Sequence, residues 1–167
     1  SHGLSINPTG GVPLKEPLPT ARLYNHGLTV RLALETCRSA DEALKLFRLM
    51  VPLTSGAGGR TFIIADRSGA AYYLECAHRH LECLKVGVET EQPFQCAANH
   101  FVNPRMFSHM SQKGVHSMVR YNALNRWLGM AASFCQVRPS ASRARGPCCT
   151  ALPRDMATPL AGRSPRS

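Results

Sequence analysis

The side chains of this sequence best suited to chemistry gather between residues 76 and 120. The densest run is Cys76-Ala77-His78-Arg79-His80-Leu81-Glu82-Cys83. On a strand, Cys76, His78 and His80 share a face, and thiolate and neutral imidazole are good zinc ligands. Successive residues on one strand face lie about 7 Å apart, too far for all three to reach one ion. The run therefore reads as a strand end and turn with exposed imidazoles, and no metal is expected. Asn99-His100-Phe101 follows the short apolar run Cys96-Ala97-Ala98. An Asn at a strand end can aim its side-chain amide at a developing oxyanion, although such residues commonly cap the next turn. Ser117-Met118-Val119-Arg120-Tyr121 opens a helical stretch. The helix dipole disfavours Arg near a helix start, so Arg120 is either solvated or held there by a carboxylate or a reacting group. Ser1 is a further candidate, since a leading Ser can act as a nucleophile with its own α-amine as base.

The elements that must position these residues are legible in part. Gly3 to Asn7 reads as a short strand that Pro8, Gly10, Gly11 and Pro13 break, and Pro13 to Pro19 as a connector. Leu28 to Cys37 is helical in pattern. Ser39-Ala40-Asp41-Glu42 fits a capping box, the Ser39 hydroxyl accepting from the Glu42 amide and the Glu42 carboxylate reaching the Ser39 amide. Ala40, Ala43, Leu44 and Phe47 then recur at helical spacing until Pro52. Ser55 to Gly59 is a glycine-rich loop with no Lys-Ser or Lys-Thr after it, which excludes a nucleotide cradle. Thr61 to Ala65, the turn Asp66-Arg67-Ser68-Gly69 and Ala70 to Ala77 read as an antiparallel hairpin. Leu81 to Val88 and Phe94 to Ala98 are further candidate strands. Val115 to Met130 is helical, with Val119, Leu124, Trp127 and Leu128 available for a buried face, and the pattern stops near Phe134. Neighbouring strands with helices grouped before and behind them predict an α+β fold with antiparallel sheets.

Composition narrows the function classes. The chain has 167 residues, 44% hydrophobic and 18% charged, which suits a packed core in one domain. No run of eighteen apolar residues is present, so no membrane span is expected. The net charge of +10 points toward polyanions, but half of it comes from residues 138–167, where six arginines face one aspartate. No recognition motif accompanies that charge, which argues against a nucleic-acid partner. The stretch 133–167 is rich in Arg, Pro and Ser and is expected to be a disordered tail, a linker or sequence read past a frame break. The seven cysteines are odd in number and irregularly spaced. They read as buried thiols of a reducing, cytoplasmic compartment rather than a disulfide scaffold.

Several segments in order resemble one family. They are Gly3-Leu4-Ser5-Ile6-Asn7, Arg31 to Cys37, Ser39 to Ala43, the hairpin Ile64 to Ala70 with Leu74-Glu75, Asn99-His100-Phe101, and Ser117-Met118-Val119-Arg120. Together they resemble the acyl-CoA:6-aminopenicillanic acid acyltransferases and, more distantly, the choloylglycine hydrolases and penicillin V acylases, over residues 1 to about 130. The resemblance implies the N-terminal-nucleophile fold, a four-layer αββα sandwich, here partial over residues 1–132. It implies cleavage of non-peptide amide bonds or acyl transfer, with a small-molecule amide or acyl thioester as substrate and no cofactor. It also implies a nucleophilic Cys exposed by self-cleavage, whose α-amine is the base. Carried over by position, Asn99 is similar to the Asn that holds the oxyanion or substrate amide. Arg120 is similar to the Arg that supports the nucleophile's charge. Asn7 is placed as the Asn ending the Gly-Leu strand and contributing to the oxyanion hole; its spacing is two residues short, a shift that keeps the strand face. The family's nucleophile lies upstream of that strand, so Ser1 is a poor nucleophile and none of the seven cysteines qualifies. The expectation is a fragment, inactive alone and marginally stable; completion by a missing upstream chain is a second reading. A complementation or binding module and a tail-driven nucleic-acid binder are the alternatives, and whether the chain is an enzyme by itself stays open, as does the substrate.

Overall fold

The computed structural model describes residues 3–16, 24–55, 58–87, 90, 92–112 and 114–136. The chain divides into two units, Ser1–Val137 and Arg138–Ser167, and every described residue belongs to the first. Ser1, the end of the Pro13–Pro19 connector, part of the Ser55–Gly59 loop and most of the expected tail lie outside the described residues.

The fold is α+β. Its centre is a four-stranded antiparallel sheet in the order β1 (Ser5–Val12), β4 (Gly59–Ala65), β5 (Ala71–Ala77) and β6 (His80–Val86). A short parallel pair joins β2 (Tyr24–Asn25) to β3 (Thr54–Ser55). Helices α1 (His26–Thr36) and α2 (Ala40–Met50) cover one face of the sheet, and α3 (Val115–Gln136) follows a 3-10 segment at Pro104–His109. No described helix is long and apolar enough to cross a membrane.

Local chemistry sets the helix ends. The Asn25 side chain accepts from the Leu28 amide at 2.8 Å, which caps α1. The Ser39 hydroxyl accepts from the Glu42 amide at 3.2 Å, as the capping box requires. The reciprocal half differs from the expectation. The Glu42 carboxylate takes the Arg38 amide, at 2.7 Å, and Asp66 from the hairpin turn takes the Ala40 amide, also at 2.7 Å. A tertiary acid thus shares the capping, and it ties the β4–β5 turn to the start of α2.

The helices bury their small face on the sheet. Ala33, Ala40, Ala43 and Phe47 meet Phe62, Ile64, Tyr72, Leu74 and Cys76 in one continuous core. Phe47 and Phe62 are fully buried, their rings edge to face with centroids 4.8 Å apart. Strand alternation puts Asn7, Thr61, Ile63, Tyr73 and Glu75 on the opposite face. A second cluster of Val12, Ala77, Phe101, Met106 and Met110 closes one end of the sheet.

Four local expectations are corrected. β1 does not stop at Pro8 but runs to Val12, with a register shift between Thr9 and Val12. It is an edge strand, where a missing N–H is tolerated and where glycines accommodate a bulge. Residues 94–98 are irregular rather than a strand. There the Gln92 side chain donates to the Phe94 carbonyl at 2.7 Å and the Gln95 side chain to the Cys96 carbonyl at 2.8 Å, so side-chain amides occupy groups a ladder would use. Cys76, His78 and His80 do not share a strand face. Ala77 pairs with His80 across a tight turn, and His78 sits in that turn at φ 52°. Finally, α3 extends through Gln136, and Val119, Leu124, Trp127 and Leu128 are exposed. Ser117 is the buried residue among those described in this helix, and Tyr121, Asn125 and Gly129 at helical spacing are half-buried, Gly129 beside the Phe94 ring.

Candidate active site

Two of the three site residues expected from the sequence meet. The Arg120 guanidinium donates from Nη2 to Asn99 Oδ1 at 2.6 Å, and its Nε donates to the His116 carbonyl at 3.3 Å. An Arg can only donate, so the bond orients the Asn99 amide. Its oxygen faces Arg120, and its NH₂ is left as the donor. That Nδ2 lies against Gly10, where an added Cβ would stand 2.9 Å from it. The absent side chain at Gly10 therefore makes room for Asn99 where β1 bulges.

Asn99 sits on a loop, which gains its rigidity from neighbours. Next to it, buried His100 shares a hydrogen bond between Nδ1 and the Ser117 hydroxyl at 2.7 Å, and its ring stands edge to face against Tyr121. Ser117, Arg120 and Tyr121 fall at i, i+3 and i+4, so one helical face carries all of these contacts. Phe101 is fully buried and packs over Gly59, where a Cβ would stand 2.5 Å from its ring.

Asn7 is not brought to this pair. It is exposed on β1, beside Ile63, in the cross-strand row that continues to Tyr73. It does share the sheet face opposite the helices with Tyr73 and Glu75.

Glu75, which stands out in the sequence only as part of the Leu74-Glu75 pair, is a buried acid three residues' reach from Asn99 through its bond to the Val102 amide. It is fully buried in the central strand β5. Its Oε1 accepts from the Val102 amide at 2.6 Å and the Tyr73 hydroxyl at 2.8 Å, and its Oε2 accepts from the Asn103 amide at 3.1 Å. Burial pushes its carboxyl above the ordinary range, and the two amides and the phenol work against that shift. Burial, then the neighbouring carboxylate, pushes the Tyr73 phenol up as well. The available signal was an acid inside the apolar run Tyr72 to Ala77, since a buried polar residue is the informative exception. Glu75, Tyr73, Gln95 and Tyr121 line a cavity of about 370 Å³.

Three of the described cysteines are held toward the thiol form. Burial pushes the Cys76, Cys83 and Cys96 thiols up, and the free cysteines among the described residues are buried or half-buried. No cluster of three His, Cys, Asp or Glu residues with metal-binding geometry occurs among the described residues. His78 and His80 instead gather around His109, at ring separations of 6.4 and 4.2 Å.

A separate cavity of about 620 Å³ lies at the start of α1, lined by Thr9, Gly10, His26 and Arg60. Burial first, and Arg60 second, lower the His26 pKa to about 4. Its Nδ1 is buried without a hydrogen-bond partner. The unfolded chain binds this proton from about pH 6.5 and the folded chain from about pH 4, so acid favours unfolding across that window. Stability is expected to fall by about 2–3 kcal/mol from this group as pH drops from 6.5 to 4, allowing for residual exposure. Urea unfolding of wild type and His26→Phe over that range checks it. Equal acid slopes in the two proteins would show that His26 is not the sensitive group.

An amide whose oxygen is held by a guanidinium can offer its NH₂ to a negative charge that develops on a nearby oxygen. A family model described as acyl-coenzyme A:6-aminopenicillanic acid acyl-transferase matches residues 19–132, and the chain belongs to that family. The match includes Asn99 and Arg120 and leaves Asn7 outside it. No curated protein and no solved structure matches the chain.

Proposed function

We propose that this chain contributes the charge-stabilising part of an acyl-transfer or amide-hydrolysis site of the N-terminal-nucleophile type. The observation that carries the reading is the 2.6 Å bond from Arg120 to Asn99 Oδ1, which leaves the amide NH₂ as a preset donor. A tetrahedral intermediate at an amide or thioester carbonyl develops negative charge on oxygen, and a preorganised donor lowers that barrier without reorganising. Arg120, one bond away, adds fixed positive charge. In this reading Asn7 approaches the same substrate from the sheet face, as a further oxyanion contact. That face then packs on a second sheet, completing the four-layer sandwich.

The reaction needs a nucleophile, and the raised Cys76, Cys83 and Cys96 thiols are unsuited to the role. The nucleophile is supplied by a residue outside those described, on this chain or on one that pairs with it. It attacks the carbonyl carbon, the amine or thiol leaves with a proton from the α-amine base, and water or an acceptor amine releases the acyl group. The substrate is a small-molecule amide or acyl thioester.

The test is turnover of phenoxyacetyl amides and acyl thioesters, followed by release of amine or thiol, in wild type and Asn99→Ala. The protein is assayed alone and co-expressed with any segment encoded upstream. Turnover that survives Asn99→Ala unchanged sinks the reading.

A further inference from the structure

We infer that Glu75 is the positioning residue for Asn99, its buried carboxylate clamping the backbone just beyond the Asn99–Arg120 contact. This rests on the reading of Asn99 as the oxyanion donor. Between Asn99 and Val102 lie only two residues, and the second, Phe101, is itself fully buried over Gly59. The segment is thus held at its near end by Arg120 and at its far end by two amide bonds to one carboxylate, at 2.6 and 3.1 Å. Tyr73 donates a third hydrogen bond, at 2.8 Å, and so fixes the rotamer of the acceptor.

The chemistry of the group matters as much as its place. A carboxylate offers acceptors at both oxygens, whereas a carboxamide offers one oxygen and turns an N–H toward the other donor. The loop amides therefore select an ionised Glu75, and a neutral replacement of the same shape releases one of them. Val102 and Asn103 are adjacent and follow Asn99 closely, so release of either amide loosens the segment that carries Asn99 rather than stopping at residue 103.

The groups facing this carboxylate are few. Tyr73 stands beside it on β5, and Glu82 lies across on β6 at 29% exposure. Arg105, 3.7 Å from Glu82, is on the 3-10 segment, and Tyr121 on α3 lines the same cavity. The buried His100 ring stands next to Asn99, so a shared midpoint with Glu75 itself is the discriminating observation.

The experiment is heteronuclear NMR of the isotope-labelled chain, following the Asn99 side-chain NH₂ and the Val102 and Asn103 amides in wild type, Glu75→Gln and Gly10→Ala. Gly10→Ala crowds Asn99 Nδ2 directly and supplies the signature of a displaced amide. Glu75→Gln is expected to move the Asn99 NH₂ signals as Gly10→Ala does, while unfolding stays cooperative. An Asn99 signal that stays in place while the Val102 and Asn103 amides shift overturns the inference. Should Glu75→Gln not fold, wild type suffices: the Asn99 NH₂ signals are expected to titrate with the midpoint read at the Glu75 carboxyl carbon. Asn99 signals that stay constant, or that follow only the His100 ring, overturn it equally. Loss of the functional reading shows instead as unchanged turnover in Asn99→Ala, with this coupling intact.

Discussion

Replacing Asn99 with Ala is expected to lower kcat for acyl transfer by about 10²–10³-fold, the usual loss when one oxyanion donor is removed, equivalent to about 2.7–4 kcal/mol of transition-state stabilisation. The loss should fall on kcat more than KM, because the carbonyl oxygen gains its charge only as the tetrahedral intermediate forms. Arg120→Met is expected to fall between wild type and Asn99→Ala. It leaves the amide in place but frees its oxygen, so the side chain can flip and present the wrong end. Asn99→Asp should be at least as damaging as Asn99→Ala, since it sets an acceptor and a negative charge where a donor is required. Steady-state kinetics on the three variants check this order. A raised KM with unchanged kcat in Asn99→Ala would assign the residue to ground-state binding.

A second large effect is expected in the core. Phe62→Ala should reduce unfolding free energy by about 3–5 kcal/mol. Phe62 is fully buried between the sheet and the helix layer, edge to face with Phe47 and 5.7 Å from the His26 ring. Truncation removes apolar area and leaves a cavity that stiff neighbours fill poorly. The strand cannot approach α2 without breaking its pairing with β1 and β5 on either side. Urea unfolding measures the change, with Leu49→Ala as control. Leu49 is 70% exposed on α2, and its truncation should stay within about 0.5 kcal/mol. A Phe62→Ala loss no larger than that of the control would mean that the helix layer does not pack as described.

The same residues show why some of the site was legible beforehand. Asn99 and Arg120 stood out because each is an awkward choice locally, a polar amide after an apolar run and a cation at a helix start. Contact between them needs a fold that brings positions twenty-one apart in sequence together. Asn7 was placed only by the family resemblance, and it lies on the exposed side of β1 rather than in the Arg120–Asn99 contact. Glu75 carried the opposite difficulty. The apolar run around it hints at burial, but the Val102 and Asn103 amides that satisfy its carboxylate come from a distant loop, and nothing within its own strand announces those donors.

By itself the sequence determined the α+β class, the α2 cap and its buried stripe, the β4–β5 hairpin, and two polar residues worth watching. These depend on hydrogen bonds and side-chain periods that reach only a few residues along the chain. Tertiary structure alone decided that β1 continues through Pro8, that Phe94 to Ala98 is no strand, and that Val119, Leu124, Trp127 and Leu128 of α3 stay exposed. It also decided that Glu75 is clamped and that His26 is held neutral. Each of these turns on which distant group covers a strand edge, a helix face or a charge. The energies of desolvation and pairing are set by neighbours in space, and order along the chain does not reveal them.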